Sequence, residues 1–147
     1  MSTTHVYDVK VDWKSDRKGI LSSSVLTPTI EVATPPEFPK GMPDIWSPEH
    51  LFVAAVNSCL MTTFLSIAEN SKLEFTSFSS NATGKLEMVE GKFMISEITL
   101  RPVVTLNSEK DKERAERILQ KSEAACLISN SIKSKIIFIP EVKIALS

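Results

Sequence analysis

Residues 47–70 read SPEHLFVAAVNSCLMTTFLSIAEN, and this stretch decides the fold. Ser47 is a preferred N-cap residue, and Pro48 loses no hydrogen bond at the first helical position. Over residues 51–68, apolar side chains occur on nearly every face of the expected helix. A helix that is apolar all round is buried on all sides. The stretch therefore predicts a long, buried central helix over residues 48–70.

This helix is too long for one small domain to cover. At about 1.5 Å per residue it spans about 34 Å, which is close to the full width of a domain of this size. It is not typical of a membrane span, because Asn57, Ser58 and Thr62 interrupt a run that already falls short of ~20 apolar residues. We therefore expect a homodimer in which elements of both chains cover the helix.

Composition narrows the class of protein. The 147 residues suit a single domain over residues 1–147. The 17 basic and 18 acidic residues nearly balance, so the chain lacks the excess of positive charge that would indicate a nucleic acid or membrane partner. The first ten residues are polar and lack a signal peptide's apolar segment, which favours a cytoplasmic protein. Two cysteines and two histidines without CxxC or HxxxH spacing make a poor metal site, so we expect no bound metal.

The rest of the chain alternates strands with one further helix. The apolar pattern predicts strands at residues 7–13, 20–26, 29–33, 75–88, 93–106 and 136–146. Residues 14–19 are expected to form a polar turn, and residues 34–46, with four prolines, to be irregular. Glu90-Gly91 marks a long hairpin, and Pro102 favours an edge strand for its second arm. Asn107-Ser108 precedes the second helix. The predicted fold class is α+β, with antiparallel sheets packed around the central helix.

Two motifs resemble the OsmC/Ohr family. The first is residues 47–55, SPEHLFVAA, with Cys59 ten residues after Glu49. It is similar to the family's Pro-Glu-x-Leu-hydrophobic-x-Ala-Ala run, which has a cysteine at the same distance from the Glu. The second is residues 123–130, EAACLISN, where the family usually shows Cys-Pro-x-Ser-Asn and this chain has Leu127 at the proline position. The family's order of strands and helices also fits nearly the whole chain.

The resemblance implies an OsmC-like fold, an intertwined dimer and reduction of organic hydroperoxides by two thiols. At the matching positions Cys59 is the peroxidatic thiol and Cys126 the resolving thiol. The resemblance further implies that Glu49 pairs with Arg17, in the turn at residues 16–19, to orient and ionise Cys59. No cofactor is bound, and an external dithiol of lipoyl or thioredoxin type would reduce the thiols again.

Chemistry sets a requirement on Cys59. Only the thiolate attacks an O–O bond, and burial raises the thiol pKa above its free value of about 8.5. Cys59 lies about three turns inside the helix, beyond the reach of the helix dipole. We therefore expect a cation near it, with Arg17 the candidate. Without the family, Arg17 is simply a solvated charge, and Glu49 a favourable charge in the first helical turn.

Three functions stay open. The first is a thiol-dependent peroxidase acting on organic hydroperoxides in oxidative-stress defence. The second is a family member without peroxidase activity that binds an apolar small molecule at the dimer interface. The third is a structural protein in which Cys59 and Cys126 are small core residues.

Overall fold

The computed structural model describes residues 3–145. The chain divides into two compact units, Met1–Leu51 and Phe52–Ser147. The central helix, α1 (Pro48–Asn70), begins in the first unit and continues through the second. That the whole chain is one OsmC-like domain stays a prediction.

Three antiparallel strands form the sheet of the first unit: β1 (Lys10–Ser15), β2 (Lys18–Ser23) and β3 (Leu26–Ala33), in the order β1-β2-β3. Pairing of Ser15 with Lys18 leaves only Asp16-Arg17 in the first turn, so the expected turn over residues 14–19 was too long. The second turn is at residues 24–25 rather than at Thr27-Pro28. Pro28 lies inside β3, an edge strand that tolerates its missing N–H.

Strand β1 differs from the expected half-buried strand. It begins at Lys10 rather than at residue 7, and every one of its side chains is exposed, including Val11 and Trp13. The alternation that suggested a buried face is present, but nothing in the described chain covers that face. The apolar side of β1 is therefore a free surface of the single chain.

Residues 34–46 contain no helix or extended strand, as their prolines predicted. They are nevertheless folded on themselves: the Phe38 N–H donates to the Pro35 carbonyl at 3.1 Å and the Gly41 N–H to the Phe38 carbonyl at 3.0 Å. A Cβ at Gly41 would lie 1.9 Å from the Pro35 carbonyl oxygen, so only glycine fits there. The loop ends at Trp46, whose carbonyl accepts the Ala33 N–H at 2.9 Å.

Helix α1 begins and ends where the sequence predicted. The Ser47 hydroxyl accepts the His50 N–H at 3.1 Å, which is the N-cap hydrogen bond expected of serine. Burial, however, follows one stripe at i, i+4 spacing: Val56, Leu60, Phe64 and Ala68. The single chain therefore buries one face of α1, and that a second chain covers the rest stays a prediction.

The uncovered face of α1 includes Met61 and Leu65, each 39% exposed. By length and composition alone α1 is apolar enough to cross a membrane. The core helix of a soluble protein meets the same criterion, and the buried stripe of α1 packs into both hydrophobic cores of the second unit. We therefore describe α1 as a core helix with one open face.

The second unit contains the long hairpin. It consists of β4 (Ser77–Val89) and β5 (Lys92–Leu106), joined at Glu90-Gly91 as predicted. Both turn residues have positive φ, 49° and 80°, which is the geometry of a tight type I′ hairpin. The register shifts so that Lys85 pairs with Glu97 but Leu86 with Ile95. Because of this bulge Ile95 packs against the same core cluster as Ile98 and Leu100.

Strand β5 is central rather than at the edge. On its other side it pairs with β6 (Lys135–Phe138) and β7 (Glu141–Ile144), both in parallel. This sheet is therefore mixed, because the helix between β5 and β6 returns the chain to the same end of the sheet. Pro102 is tolerated because β6 pairs only as far as Leu100 and β7 begins at Val103.

The last expected strand, residues 136–146, is thus two short strands separated at Pro140, and its final residue lies outside the described range. The second helix, α2 (Lys112–Ala124), follows a short 3₁₀ turn at Glu109–Asp111. Its buried side chains lie on one stripe at helical spacing: Ala115, Ile118, Leu119 and Ser122. Two helices and two sheets confirm the α+β fold class.

Candidate functional site

Cys59 lies on α1 beside the buried stripe. Its neighbour Leu60 is fully buried, whereas the Cys59 side chain is half-buried and open on one side. Thr63, one helical turn later, has its hydroxyl 3.9 Å from the Cys59 sulfur. The helix thus presents a thiol and a hydroxyl together at the border between core and surface.

Cys126 lies in a tight turn directly after α2. The Asn130 N–H donates to the Cys126 carbonyl at 3.1 Å, and the Asn130 side-chain amide donates to the Ala124 carbonyl at 3.2 Å. These two hydrogen bonds hold the turn against the end of α2. Cys126 is fully buried, and its sulfur lies 3.9 Å from the Val56 carbonyl of α1. The turn therefore places the second thiol against α1, one helical turn before Cys59.

The two thiols are free, and each shifts the pKa of the other. Burial raises the pKa of Cys59, but the backbone N–H of Ile128 opposes it, aided by the Cys126 thiol, Thr63 and the Leu127 N–H. The net result is a pKa of Cys59 below the ordinary value. Cys59 is therefore the thiol that ionises first.

Cys126 shows the opposite tendency. Burial raises its pKa, and the adjacent Cys59 raises it further by hydrogen bonding and charge repulsion. The hydroxyl and the N–H of Ser129 partly offset this increase. The pKa values of the two thiols are thus shifted in opposite directions, and their peroxidatic and resolving roles stay predictions.

Backbone amides lower the pKa of Cys59 without a cation. The turn directs the Leu127 and Ile128 N–H groups to Cys59 and the Ser129 N–H to Cys126. Successive amides that converge on one point form an anion-binding concavity. The sequence argument considered only a charged side chain for this task; that a cation also lies near Cys59 stays a prediction.

Arg17 and Glu49 are not brought together in the single chain. Arg17 is exposed in the β1–β2 turn and borders an open pocket of about 430 Å³ with Asp16, Lys40 and Met42. Glu49 is in the first turn of α1, and one of its carboxylate oxygens is buried with no hydrogen-bond partner within residues 3–145. No ion pair joins the two residues in that range. Their roles stay predictions.

Sequence reasoning missed Thr63, Ser129 and the two amides before Ser129. The signal was present in the second motif, but only its cysteine was given a role. The amide positions depend on the turn conformation rather than on side-chain identity. Among the described residues, no group of three or more His, Cys, Asp or Glu side chains is placed to hold a metal ion.

Comparison with known proteins agrees with this geometry. The family model described as OsmC-like protein matches residues 41–141. The chain belongs to the OsmC-like protein family. In sequence, the chain is 26% identical over 141 residues to the uncharacterised protein YmaD of Bacillus subtilis, covering 92% of this chain and 91% of the relative.

Solved OsmC-like structures share the fold. An OsmC-like protein of unknown function from Vibrio cholerae has a TM-score of 0.82 and 25% identity, covering 93% of this chain and 99% of the other. An organic hydroperoxide resistance protein from Elizabethkingia anophelis has a TM-score of 0.77 and 21% identity, covering 99% and 100%. The family and the fold expected from the two motifs are therefore confirmed.

Proposed function

We propose that this OsmC-like protein is a thiol-dependent peroxidase that reduces organic hydroperoxides through Cys59 and Cys126 in oxidative-stress defence. One observation carries the proposal: a half-exposed thiol of lowered pKa lies in hydrogen-bonding reach of a second, buried thiol. The similarity in fold to an organic hydroperoxide resistance protein supports the substrate class.

The chemistry proceeds in two steps. The Cys59 thiolate attacks the terminal oxygen of ROOH; the O–O bond breaks, Cys59 becomes a sulfenic acid, and RO⁻ takes a proton from water to leave as the alcohol. Cys126 then attacks the Cys59 sulfur, forming a disulfide and releasing water. One hydroperoxide and two thiols thus give one alcohol, one water and one disulfide.

Turnover needs an external reductant, for which we propose a dithiol of lipoyl or thioredoxin type. The dithiol is oxidised as the protein disulfide is reduced, so no bound cofactor takes part. Two free thiols suit a reducing compartment, and we propose the cytoplasm.

We also propose that the active form is a homodimer. In the second unit Met61 and Leu65 are exposed on the face of α1 beside Cys59, and in the first unit Val11 and Trp13 are exposed on β1. Large exposed apolar side chains of this kind can mark an interaction site on each unit. A second chain covering α1 would give Cys59 apolar walls suited to an alkyl hydroperoxide. Light scattering that shows a 16.3 kDa particle at micromolar concentration would contradict this proposal.

Arg17 is proposed to support Cys59 with Glu49 in the assembled protein. The buried, unpartnered carboxylate oxygen of Glu49 supports this, because buried acceptors are normally satisfied by a donor. Arg17→Ala is expected to slow the reaction of Cys59 with peroxide, while the total amount of peroxide consumed stays at one equivalent. Arg17→Lys, which keeps the charge, is the matched control, and equal rates in all three proteins would exclude the role.

Mass spectrometry after one equivalent of cumene hydroperoxide tests the function directly. The wild type is expected to form a Cys59–Cys126 disulfide. Cys126→Ser is expected to consume one equivalent, carry a sulfenic acid that dimedone traps, and stall. Cys59→Ser is expected not to react, because a serine hydroxyl is a far weaker nucleophile at neutral pH.

Two other outcomes would contradict the proposal and differ from each other. If both thiols stay reduced and alkylate only after unfolding, they are core residues. If Cys59 alkylates in the native protein but consumes no hydroperoxide, the protein fits the alternative, a family member that binds an apolar small molecule without peroxidase activity.

A further inference from the structure

We propose that the external dithiol attacks the disulfide at Cys59 rather than at Cys126, and that Ser129 is a positioning residue that holds the departing Cys126 thiolate. The proposal rests on the proposed peroxidase function, because it describes the reductive half of that cycle. It assigns a role to a buried serine that the oxidative chemistry does not use.

Accessibility selects the sulfur that is attacked. Cys126 is 0% exposed, enclosed by its own turn and by the Val56 carbonyl of α1. Cys59 is only half-buried. Which sulfur of a disulfide reacts depends on access for the incoming thiolate. A dithiol arriving from solvent therefore meets the Cys59 sulfur, and the electron pair of the broken S–S bond must go to Cys126.

A buried sulfur is a poor leaving group unless donors receive the charge. A leaving thiol departs faster when its pKa is lower, whereas burial raises the pKa of Cys126. Donors at this position therefore speed reduction, and their loss slows it.

Ser129 supplies such donors. It follows Cys126 by three residues and opens the 3₁₀ turn Ser129–Ser131, close enough for its hydroxyl and N–H to act on the Cys126 thiol. Its side chain is 9% exposed, and its hydroxyl has no conventional hydrogen-bond partner within residues 3–145. A buried hydroxyl without such a partner calls for a function. The effect of this hydroxyl and the Ser129 N–H is to lower the pKa of Cys126.

The atoms balance in two exchanges. The first thiolate of the dithiol bonds to the Cys59 sulfur, the S–S bond breaks, and Cys126 leaves as a thiolate that Ser129 stabilises until it takes a proton from water. The second thiol of the reductant, as its thiolate, then attacks the first reductant sulfur, which is bonded to Cys59 in the mixed disulfide, and releases the Cys59 thiolate. The dithiol is oxidised to its cyclic disulfide, and both protein cysteines are reduced.

The rate of disulfide reduction tests Ser129. Wild type, Ser129→Ala and Ser129→Thr are oxidised with diamide, so that disulfide formation does not depend on peroxidase activity, and are then reduced with dithiothreitol. Ser129→Ala is expected to be reduced about tenfold more slowly, the equivalent of about 1.4 kcal/mol. Ser129→Thr keeps the hydroxyl and is expected to restore most of the rate. Recovery of the rate in Ser129→Thr but not in Ser129→Ala separates a leaving-group role of the hydroxyl from general damage to the site.

The position of attack is tested with a monothiol. Oxidised wild type is treated briefly with 2-mercaptoethanol, quenched in acid, unfolded and alkylated with N-ethylmaleimide. Peptide mapping is expected to find mercaptoethanol on Cys59 and maleimide on Cys126. The reverse pattern, equal reduction of wild type and Ser129→Ala, or failure of diamide to link the cysteines would overturn the inference. Failure of wild type to consume hydroperoxide, with these results intact, would overturn only the proposed function.

Discussion

Replacing Leu127 with proline tests whether backbone amides ionise Cys59. The Leu127 N–H is one of the donors that lower the pKa of Cys59, and proline removes that N–H. The Leu127 side chain is 66% exposed, so its loss changes little packing. The family commonly carries proline at this position, which indicates that the turn accepts its backbone restriction. Leu127→Ala keeps the N–H and is the matched control.

The size of the effect follows from one hydrogen bond. A hydrogen bond to a charged group contributes about 1.5–3 kcal/mol. The lower end applies, because Leu127 is the weakest of the donors to Cys59 and the thiol is half-exposed. Losing about 1.5 kcal/mol reduces the thiolate fraction roughly tenfold at pH values below the pKa of Cys59. The more basic thiolate is about threefold more nucleophilic, so peroxide attack should slow about threefold overall.

Two assays measure the change. The pH dependence of iodoacetamide alkylation reports the pKa of Cys59, which should move upward in Leu127→Pro only. Stopped-flow mixing with cumene hydroperoxide reports the attack rate. If the proline and alanine variants give the same alkylation profile and the same rate, the Leu127 amide has no role in ionising the thiol.

The remaining predictions concern the thiol pair and the core. Native alkylation should label Cys59 at lower pH than Cys126, because the first pKa is lowered and the second raised; peptide mapping that finds Cys126 labelled first would reverse the assigned roles. Gly84→Ala should lower the free energy of unfolding by about 1–3 kcal/mol, because the new Cβ would lie 2.5 Å from a Val53 methyl. In urea titrations, adding Val53→Ala should recover part of the lost free energy of unfolding. Ser47→Ala should cost about 1 kcal/mol by removing the cap of α1, and an unchanged unfolding midpoint would show that the cap contributes nothing.

Local sequence determined the elements that bring Cys59 into place. Ser47-Pro48 and the apolar run after it define α1, because capping and helical burial depend on residues near in sequence. Glu90-Gly91 defines the hairpin for the same reason, since a two-residue turn with positive φ specifies both strands that it joins. The two motifs also identified the family and both cysteines.

Pairing between strands distant in the sequence determined features that the apolar pattern of the sequence did not predict. Pro102 predicted an edge strand, yet β5 is central, because the gap between β6 and β7 falls at the proline. Its position became clear only when strands from distant parts of the chain were paired. The bulge that moves Ile95 onto the core face has the same origin, because a shift of register reverses which side chains face inward.

The chemistry of the thiol pair depended on tertiary structure. The sequence supplied Cys59 and Cys126, 67 positions apart, but neither their proximity nor the opposite shifts of their pKa values. The sequence argument looked for a cationic side chain, because a sequence identifies side chains. Backbone N–H groups occur at every residue except proline, so those of Leu127 and Ile128 gave no signal. They act on the Cys59 thiol only because the turn after α2 packs against α1. Side-chain identity therefore determined where the two thiols lie in the chain, and the fold determined the opposite directions in which their pKa values are shifted.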